Sequence, residues 1–308
     1  MNKIVVKLIV GAFMLSSCIK ENMSDCPEEI RIYFDVATRP DIQIKEIDKM
    51  NLYVFSDKGD YLGEYSDDNI RVFDAGYHIN CSDLVPGNYH FVAWAGKHER
   101  DYSVMPEPFI KGKTRLYEAL LILKHSDGIV INNIHHLFHA KMSATVTRKK
   151  EQAFFMPLVQ HSNTINIYTE GFPVNDYSYI FEITDRNGEY KFDRSFAKTH
   201  TDLTYLSDCQ KDENNQLFST LNVMRLSEDR NTPRLRIYNK TTGATLYPVG
   251  MQSGNLIELI KSAYPNNDFE TTHNYDILFC FNGETETDMS VTIFINGWMV
   301  REQEGNLN

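Results

Sequence analysis

The sequence predicts an all-β protein made of two tandem β-sandwiches with one or two short helices. Short runs of alternating apolar and polar residues, separated by turn residues, follow one another from residue 30 to residue 295, which is typical of antiparallel strands. The chain holds 18 Phe and 17 Tyr, residue types that favour strands. Its 308 residues are too many for one sandwich and suit two domains.

The first seventeen residues have the pattern of a signal peptide. Lys3 and Lys7 precede the apolar run 8–14, and Leu15-Ser16-Ser17-Cys18 follows. An apolar run of this length is well short of the ~20 residues that span a bilayer, so a retained transmembrane helix is the weaker alternative. We therefore predict that residues 1–17 are removed.

The stretch that ends at Cys18 resembles a bacterial lipobox, in which the thiol is lipidated and cleavage makes that residue the new N-terminus. Several acyl chains hold a protein far more firmly than one. Lys20 and Glu21 follow and are similar to the charged signal that sends some lipoproteins to the outer face. We expect residues 18–28 to be a lipidated linker and the protein to be anchored in the outer membrane and exposed at the cell surface.

The charge of the mature chain argues against nucleic-acid binding. Without residues 1–17, 29 Lys and Arg stand against 42 Asp and Glu, a formal charge of −13. Such a surface repels phosphates.

Four cysteines remain after Cys18, namely Cys26, Cys81, Cys209 and Cys280, in a chain that crosses an oxidising compartment. Four cysteines allow three pairings, and the sequence does not choose among them. We favour Cys26 with Cys81 because both lie in the first half, and closing their loop would contribute about 4 kcal/mol in the chain-entropy model. For Cys280 the favoured interpretation is a small buried apolar residue of a strand.

In the first half we predict a hairpin at Ser56–Gly59, where Gly59 supplies the positive φ. A helix is predicted at 114–123, with Thr114 as its N-cap. The charged run 148–151 places the domain boundary near residue 150, give or take ten, so that the domains are 29–150 and 151–308. The predicted strands of this half are Ile30–Val36, Met50–Phe55, Ile70–Ile79, Tyr89–Trp94 and Lys141–Thr147.

In the second half, residues 198–216 are polar and are predicted to form a loop, and Asn255–Ala263 a capped amphipathic helix. The predicted strands are Thr164–Thr169, Tyr177–Thr184, Glu189–Phe192, Phe218–Leu226, Arg234–Tyr238, Thr245–Pro248, Tyr275–Phe281 and Ser290–Ile295. About six or seven short strands in each half indicate a β-sandwich.

Several stretches, taken together and in order, carry a resemblance. They are the Cys18 lipobox, Asp25-Cys26-Pro27, Val54–Gly59, Leu84–Trp94, Leu137–Ala140 and Ile293–Trp298. The set resembles the FimB/minor-fimbrium anchor family, lipoproteins that fix and terminate surface fimbriae in Bacteroides-like bacteria. The resemblance implies tandem transthyretin-like β-sandwiches, a lipid on Cys18, and assembly with fimbrial shaft or accessory subunits by donor-strand exchange.

In donor-strand exchange a sandwich that lacks a strand exposes an apolar groove and unpaired backbone, and a neighbour's extended segment completes both. The ten residues after Trp298 are mostly polar, which is poor material for an apolar donor strand. We therefore expect a subunit that accepts a strand, anchors the fimbria and limits its length.

Catalytic alternatives are weaker. His135 and His139 would share one face of a helix and could bind a metal, but their surroundings are typical of a strand. The acidic pairs 67–68 and 212–213 lie in polar turns, and the sequence has no nucleophile or nucleotide motif. We predict no enzyme activity, no cofactor and no metal.

The second function considered is a surface glycan-binding lipoprotein, because Trp94 and Trp298 could stack on sugars. A Trp at the end of a strand more often fills the core, and that interpretation is favoured for both.

Overall fold

A computed structural model of the chain describes residues 29–36, 45–130, 133–171, 178–198, 201–211, 213, 216–230, 232–250, 253–283 and 290–300. These residues form twenty-one strands and one helix, Leu256–Ala263. The strands are β1 (Glu29–Val36), β2 (Met50–Ser56), β3 (Tyr61–Asp67), β4 (His78–Asn80), β5 (Gly87–Ala95), β6 (Tyr102–Met105), β7 (Leu120–Leu123), β8 (Ile129–Val130), β9 (Phe138–Val146), β10 (Glu151–Gln160), β11 (Ser162–Glu170), β12 (Tyr179–Asp185), β13 (Glu189–Lys191), β14 (Leu203–Asp208), β15 (Gln210–Lys211), β16 (Leu217–Met224), β17 (Arg234–Asn239), β18 (Thr245–Tyr247), β19 (Asn274–Asn282), β20 (Ser290–Ile295) and β21 (Trp298–Met299).

The first half of the chain forms a seven-stranded sheet in the order β3-β2-β5-β9-β10-β1-β4. Strands β2, β5 and β9 pair antiparallel, whereas β1 and β10 pair in parallel. Every second residue of β1 is buried, which matches its alternating sequence. Residues 50–55 of β2 are all buried because both faces of that strand are covered.

Two apolar cores cover the two faces of β2 and β5. On one face, Leu52 and Phe91 join β1 residues such as Ile32 in a first core. On the other face, Tyr53 and Trp94 belong to a second core that also holds most of the buried residues of the second half. The first-half strands therefore contribute to the core of the second half as well as to their own.

The second half contains a six-stranded sheet, β15-β16-β11-β19-β20-β21, and a five-stranded sheet, β18-β17-β12-β14-β8. Their buried residues, among them Ile167, Ile277, Phe181 and Ile237, belong to the same core, as expected of a β-sandwich. A small sheet, β13-β7-β6, joins a second-half strand to two first-half strands.

The predicted all-β fold class with β-sandwich layers is confirmed, and so is the helix after Asn255, whose side chain accepts hydrogen bonds from two backbone amides of the first turn. The helix predicted at 114–123 is wrong. Its second part is strand β7, where Leu121 and Leu123 are buried between β6 and β13, so burial of alternate residues outweighs helix propensity.

Two further predictions are corrected. Within 70–79 only the last two residues belong to a strand, β4. The polar segment 198–216 contains strands β14 and β15, since Leu203 and Tyr205 are buried in the core between polar neighbours. The domain division near residue 150 stays a prediction; β10, which begins at Glu151, pairs with β1 of the first sheet.

Candidate functional site

The predicted lipidation residue Cys18 and the predicted disulfide partner Cys26 lie outside the described residues. Cys81 is fully buried after β4, and its backbone amide donates to the Ile30 carbonyl at 2.8 Å. Burial, with a smaller contribution from the Asp83 carboxylate, raises the pKa of the Cys81 thiol to about 12. No disulfide joins the cysteines of the described ranges, so the predicted pairing stays a prediction. Cys280 is only half-buried on β19, so its predicted burial is wrong; its side chain lies on the opposite face of the strand from the buried Phe279 and Phe281.

The two histidines considered as metal ligands have different partners. His135 Nδ1 lies 2.6 Å from Asp101 Oδ2, and its ring stacks on His98 at 3.8 Å between centroids. His139 is buried and its Nε2 donates to the Phe192 carbonyl at 3.0 Å. In the part of the chain that the structure describes, no group of three or more His, Cys, Asp or Glu is placed to hold a metal ion.

The described acidic residues of the turns also have structural roles. Asp67 Oδ1 accepts a hydrogen bond from the Asn69 amide at 3.1 Å, and Asp68 forms an ion pair with Lys49 at 2.9 Å. Asp212 lies outside the described residues.

The two tryptophans occupy opposite environments. Trp94 is fully buried, with its ring 4.5 Å from that of His139, as predicted. Trp298 is 65% exposed, so its predicted place in the core is wrong. It lies on the two-residue strand β21, the last in the order of its sheet, and none of the described strands pairs with the other side of β21.

The feature that sequence reasoning missed is β10, which leaves a gap in strand pairing with β9 inside the seven-stranded sheet. The two strands are consecutive and antiparallel, but they pair only at Val159 with His139 and at Gln160 with Phe138. Over the rest of their length they are not paired with each other, and β9 continues beside β5 and β10 beside β1. We call the space between residues 140–146 and 151–158 the β9–β10 cleft.

The closed end of this hairpin is held by a side chain instead of a strand ladder. Gln152 Oε1 accepts from the Thr147 amide at 2.9 Å and from its hydroxyl at 3.0 Å, and Gln152 Nε2 donates to the Thr147 carbonyl at 3.0 Å. These three hydrogen bonds fix the loop end of the stretch in which the two strands are not paired.

The interior side of the cleft is apolar and incompletely covered. Met142 and Ala144 of β9 and Phe154 of β10 pack against the first core but are only partly buried, whereas Ile32 and Phe34 on the adjacent β1 are buried. Among the described strands, none pairs with the cleft side of residues 140–146 or 151–158. Unpaired strand backbone beside partly buried apolar side chains is an arrangement to which an added strand can bind.

The fold and this cleft define a β-sandwich protein whose first sheet has an unpaired stretch between two neighbouring strands. The chain belongs to the Mfa2 family, the fimbrillin-A associated anchor proteins Mfa1 and Mfa2, whose family model matches residues 23–304. The predicted resemblance to fimbrial anchor proteins is therefore confirmed.

Solved structures share the fold. The fimbrial anchor protein Mfa2 from Porphyromonas gingivalis has a TM-score of 0.71 and 19% identity, covering 90% of this chain and 100% of its own. A Bacteroides thetaiotaomicron protein described as a proposed polysaccharide-binding protein has a TM-score of 0.69 and 22% identity, covering 91% and 100%. A proposed adhesin from the same species has a TM-score of 0.68 and 20% identity, covering 90% and 98%. No curated protein matches the chain.

Family membership gives the chain a fimbria-associated function and a cell-surface or envelope-associated location, in a family of anchor proteins that is not an enzyme family. Within the described ranges no helix is long and apolar enough to cross a membrane.

Proposed function

We propose that this chain is an outer-membrane lipoprotein that fixes a fimbria at its base by accepting a donor strand in the β9–β10 cleft. Lipid on Cys18 holds the protein in the membrane, and the strand of a fimbrial shaft or accessory subunit completes the sheet. A base that cannot leave the membrane also stops subunit addition there, which limits fimbrial length.

The observation that carries the proposal is the lack of strand pairing between residues 140–146 of β9 and residues 151–158 of β10. An incoming segment can form backbone hydrogen bonds with one of these strands and cover Met142, Ala144 and Phe154 with its own alternate side chains. Both kinds of contact would stabilise the complex.

The position of the cleft supports an anchoring role. The Glu29 amide donates to the Lys150 carbonyl at 2.7 Å, so the linker from Cys18 enters the fold beside the looped end of the cleft. Eleven residues of extended chain reach at most about 40 Å. A lipid on Cys18 would therefore keep this end of the cleft near the membrane, where the base of a fimbria must be held.

The test is a matched pair of alanine-to-phenylalanine substitutions in cells that lack the native gene. Ala144→Phe fills the cleft, whereas Ala75→Phe adds the same side chain at an exposed turn position before β4, outside the cleft. We expect Ala144→Phe to lower co-purification of fimbrial subunits at least tenfold and to release fimbriae into the medium, and Ala75→Phe to leave both unchanged.

Thermal unfolding of both variants shows whether the fold is kept. The proposal would be contradicted if fimbriae stayed attached and of normal length in cells whose Ala144→Phe protein is folded. The same result in cells without any anchor gene would also contradict it.

The exposure of Trp298 favours glycan binding as a second candidate function. Its ring lies 6.4 Å from that of Tyr264 in an edge-on arrangement, and an exposed indole can stack on a sugar ring. Trp298→Ala should then abolish binding of a cell-surface polysaccharide while fimbriae stay attached. Unchanged binding of every polysaccharide tested would rule this candidate out.

A further inference from the structure

The outer face of the six-stranded sheet carries a row of apolar side chains that crosses five strands. The register aligns Phe218 with Tyr168, Tyr168 with Leu278, Leu278 with Phe294, and Phe294 with Met299. Residues in direct register lie on the same face of a sheet. With strands ~4.8 Å apart, the row is about 19 Å long. We call these five residues the apolar row.

The apolar row is open to solvent. Tyr168 is 43% and Met299 58% exposed, and the other three side chains are partly exposed. A groove of about 300 Å³ lies along its centre, lined by Tyr168, Leu278, Phe294, Cys280 and Gly297 with Glu170 and Asp276. The interior residues of the same strands, such as Ile167 and Ile277, are fully buried, so the sandwich does not need the apolar row for its own core.

Polar residues border the apolar row on one side in a self-contained ladder. The Thr220 hydroxyl donates to Asn166 Oδ1 at 2.8 Å, and Asn166 Nδ2 donates to Asp276 Oδ1 at 2.8 Å. The amide of Asn166 therefore uses one acceptor site and one donor within the ladder, and the Asp276 carboxylate lies at the edge of the groove. Glu170 lies on the other side, with Cys280 Sγ 3.7 Å from its Oε2.

Neither the Glu170 nor the Asp276 carboxylate forms an ion pair with another of the described residues.

We propose that this face is a docking surface for a fimbrial subunit that presents apolar side chains flanked by lysine or arginine. The inference rests on the proposed anchor function and adds a second contact, separate from the β9–β10 cleft. Desolvated apolar contacts would supply most of the affinity, and Glu170 and Asp276 would select a basic partner.

Other occupants fit less well. Two copies of this chain would bring Glu170 and Asp276 of one copy toward the same acids of the other, and the chain already carries a net charge of −11. A sugar needs several hydrogen-bonding side chains, whereas the groove walls are mostly apolar.

The experiment measures binding of fimbriae sheared from the same cells to the immobilised full-length lipoprotein in detergent. Tyr168→Ser removes an aromatic side chain from within the apolar row. Its control is Asn274→Ser, on the same face of β19 as Leu278. Glu170→Lys reverses one bordering charge, with the exposed Glu107→Lys as its control. We expect about tenfold weaker binding for each row variant and less than a twofold change for each control, with wild-type binding weakening as salt rises.

The outcomes separate the two proposals. Loss of binding in Ala144→Phe together with wild-type binding in Tyr168→Ser and Glu170→Lys would overturn the docking surface and leave the anchor function standing. No binding of fimbriae by the wild-type protein would overturn both. If the wild-type protein is a dimer and Tyr168→Ser is a monomer, the face is assigned to a second copy of the chain instead. If the wild-type protein binds a cell-surface polysaccharide and Tyr168→Ser does not, the face is assigned to that polysaccharide.

Discussion

Buried histidines should make this fold sensitive to mild acid, and His139 allows the effect to be measured. Its imidazole is only 4% exposed, beside Trp94. Burial, assisted by the positive charges of Arg194 and Lys141, lowers the pKa of His139 to about 4 in spite of the hydrogen bond to the Phe192 carbonyl. Burial likewise lowers the pKa of His161.

The sign and size of the pH effect on stability follow from the linkage between proton binding and folding. The unfolded chain binds a proton at His139 near pH 6.5, whereas the folded chain does so only near pH 4, so stability falls as the pH falls between these values. For His139 alone the loss is about 2 kcal/mol at pH 5 and about 3 kcal/mol at pH 4.

Urea unfolding of wild type and His139→Gln between pH 7.5 and pH 4 tests this. The amide of glutamine can donate to the Phe192 carbonyl but does not titrate. Carboxylates elsewhere titrate equally in both proteins, so the difference between the two curves isolates His139. Between pH 7.5 and pH 4 the free energy of unfolding of the wild type should fall by about 3 kcal/mol more than that of the variant. Parallel pH dependences would refute the assignment of a buried, neutral His139.

Three other predictions concern the linker, the cysteines and the helix. Cys18→Ala should abolish incorporation of radioactive fatty acid and release the protein from membranes; an unlabelled wild type would exclude lipidation. If Cys26 and Cys81 are bridged, both should resist alkylation until reduced; the assay must be done on unfolded protein, because burial alone protects Cys81, and two reactive thiols before reduction would disprove the pairing. Asn255→Ala should cost about 1 kcal/mol of unfolding free energy through loss of the hydrogen bonds to the amides of Ile257 and Glu258, and an unchanged urea midpoint would contradict this role.

Strands whose pattern follows directly from burial could be predicted from sequence. β1 alternates because one face is buried, and β5 follows Pro86-Gly87 into a continuous apolar run because its last residues are covered on both faces. The segment 114–123 was mispredicted because Leu, Glu and Ala favour helices locally, whereas pairing of β7 with β6 and β13 comes from residues distant in sequence. Local propensity cannot contain that information.

The candidate site was harder to predict for the same reason. The β9–β10 cleft depends on where two neighbouring strands find their partners, and β10 pairs in parallel with β1, more than a hundred residues earlier. The charged run 148–151 indicated a domain boundary, so no strand was predicted at β10. The apolar row likewise exists only through the register of five strands, since Phe218, Tyr168 and Leu278 are isolated apolar residues at polar-facing positions of their own segments.

The two surfaces differ in what they can contribute to an anchor. Strand addition in the cleft uses backbone hydrogen bonds, which any extended segment can form, so it gives strength but little discrimination between partners. The apolar row, bordered by Glu170 and Asp276, acts through side chains and charge, which discriminate between partners and govern the rate of encounter. Because the cleft lies in the first sheet and the apolar row in the six-stranded sheet of the second half, a bound subunit that touched both would be held at two separated points. When two contacts are joined in one partner, binding at one raises the effective concentration of the partner at the other, so a fimbria would stay attached even when one contact opens briefly.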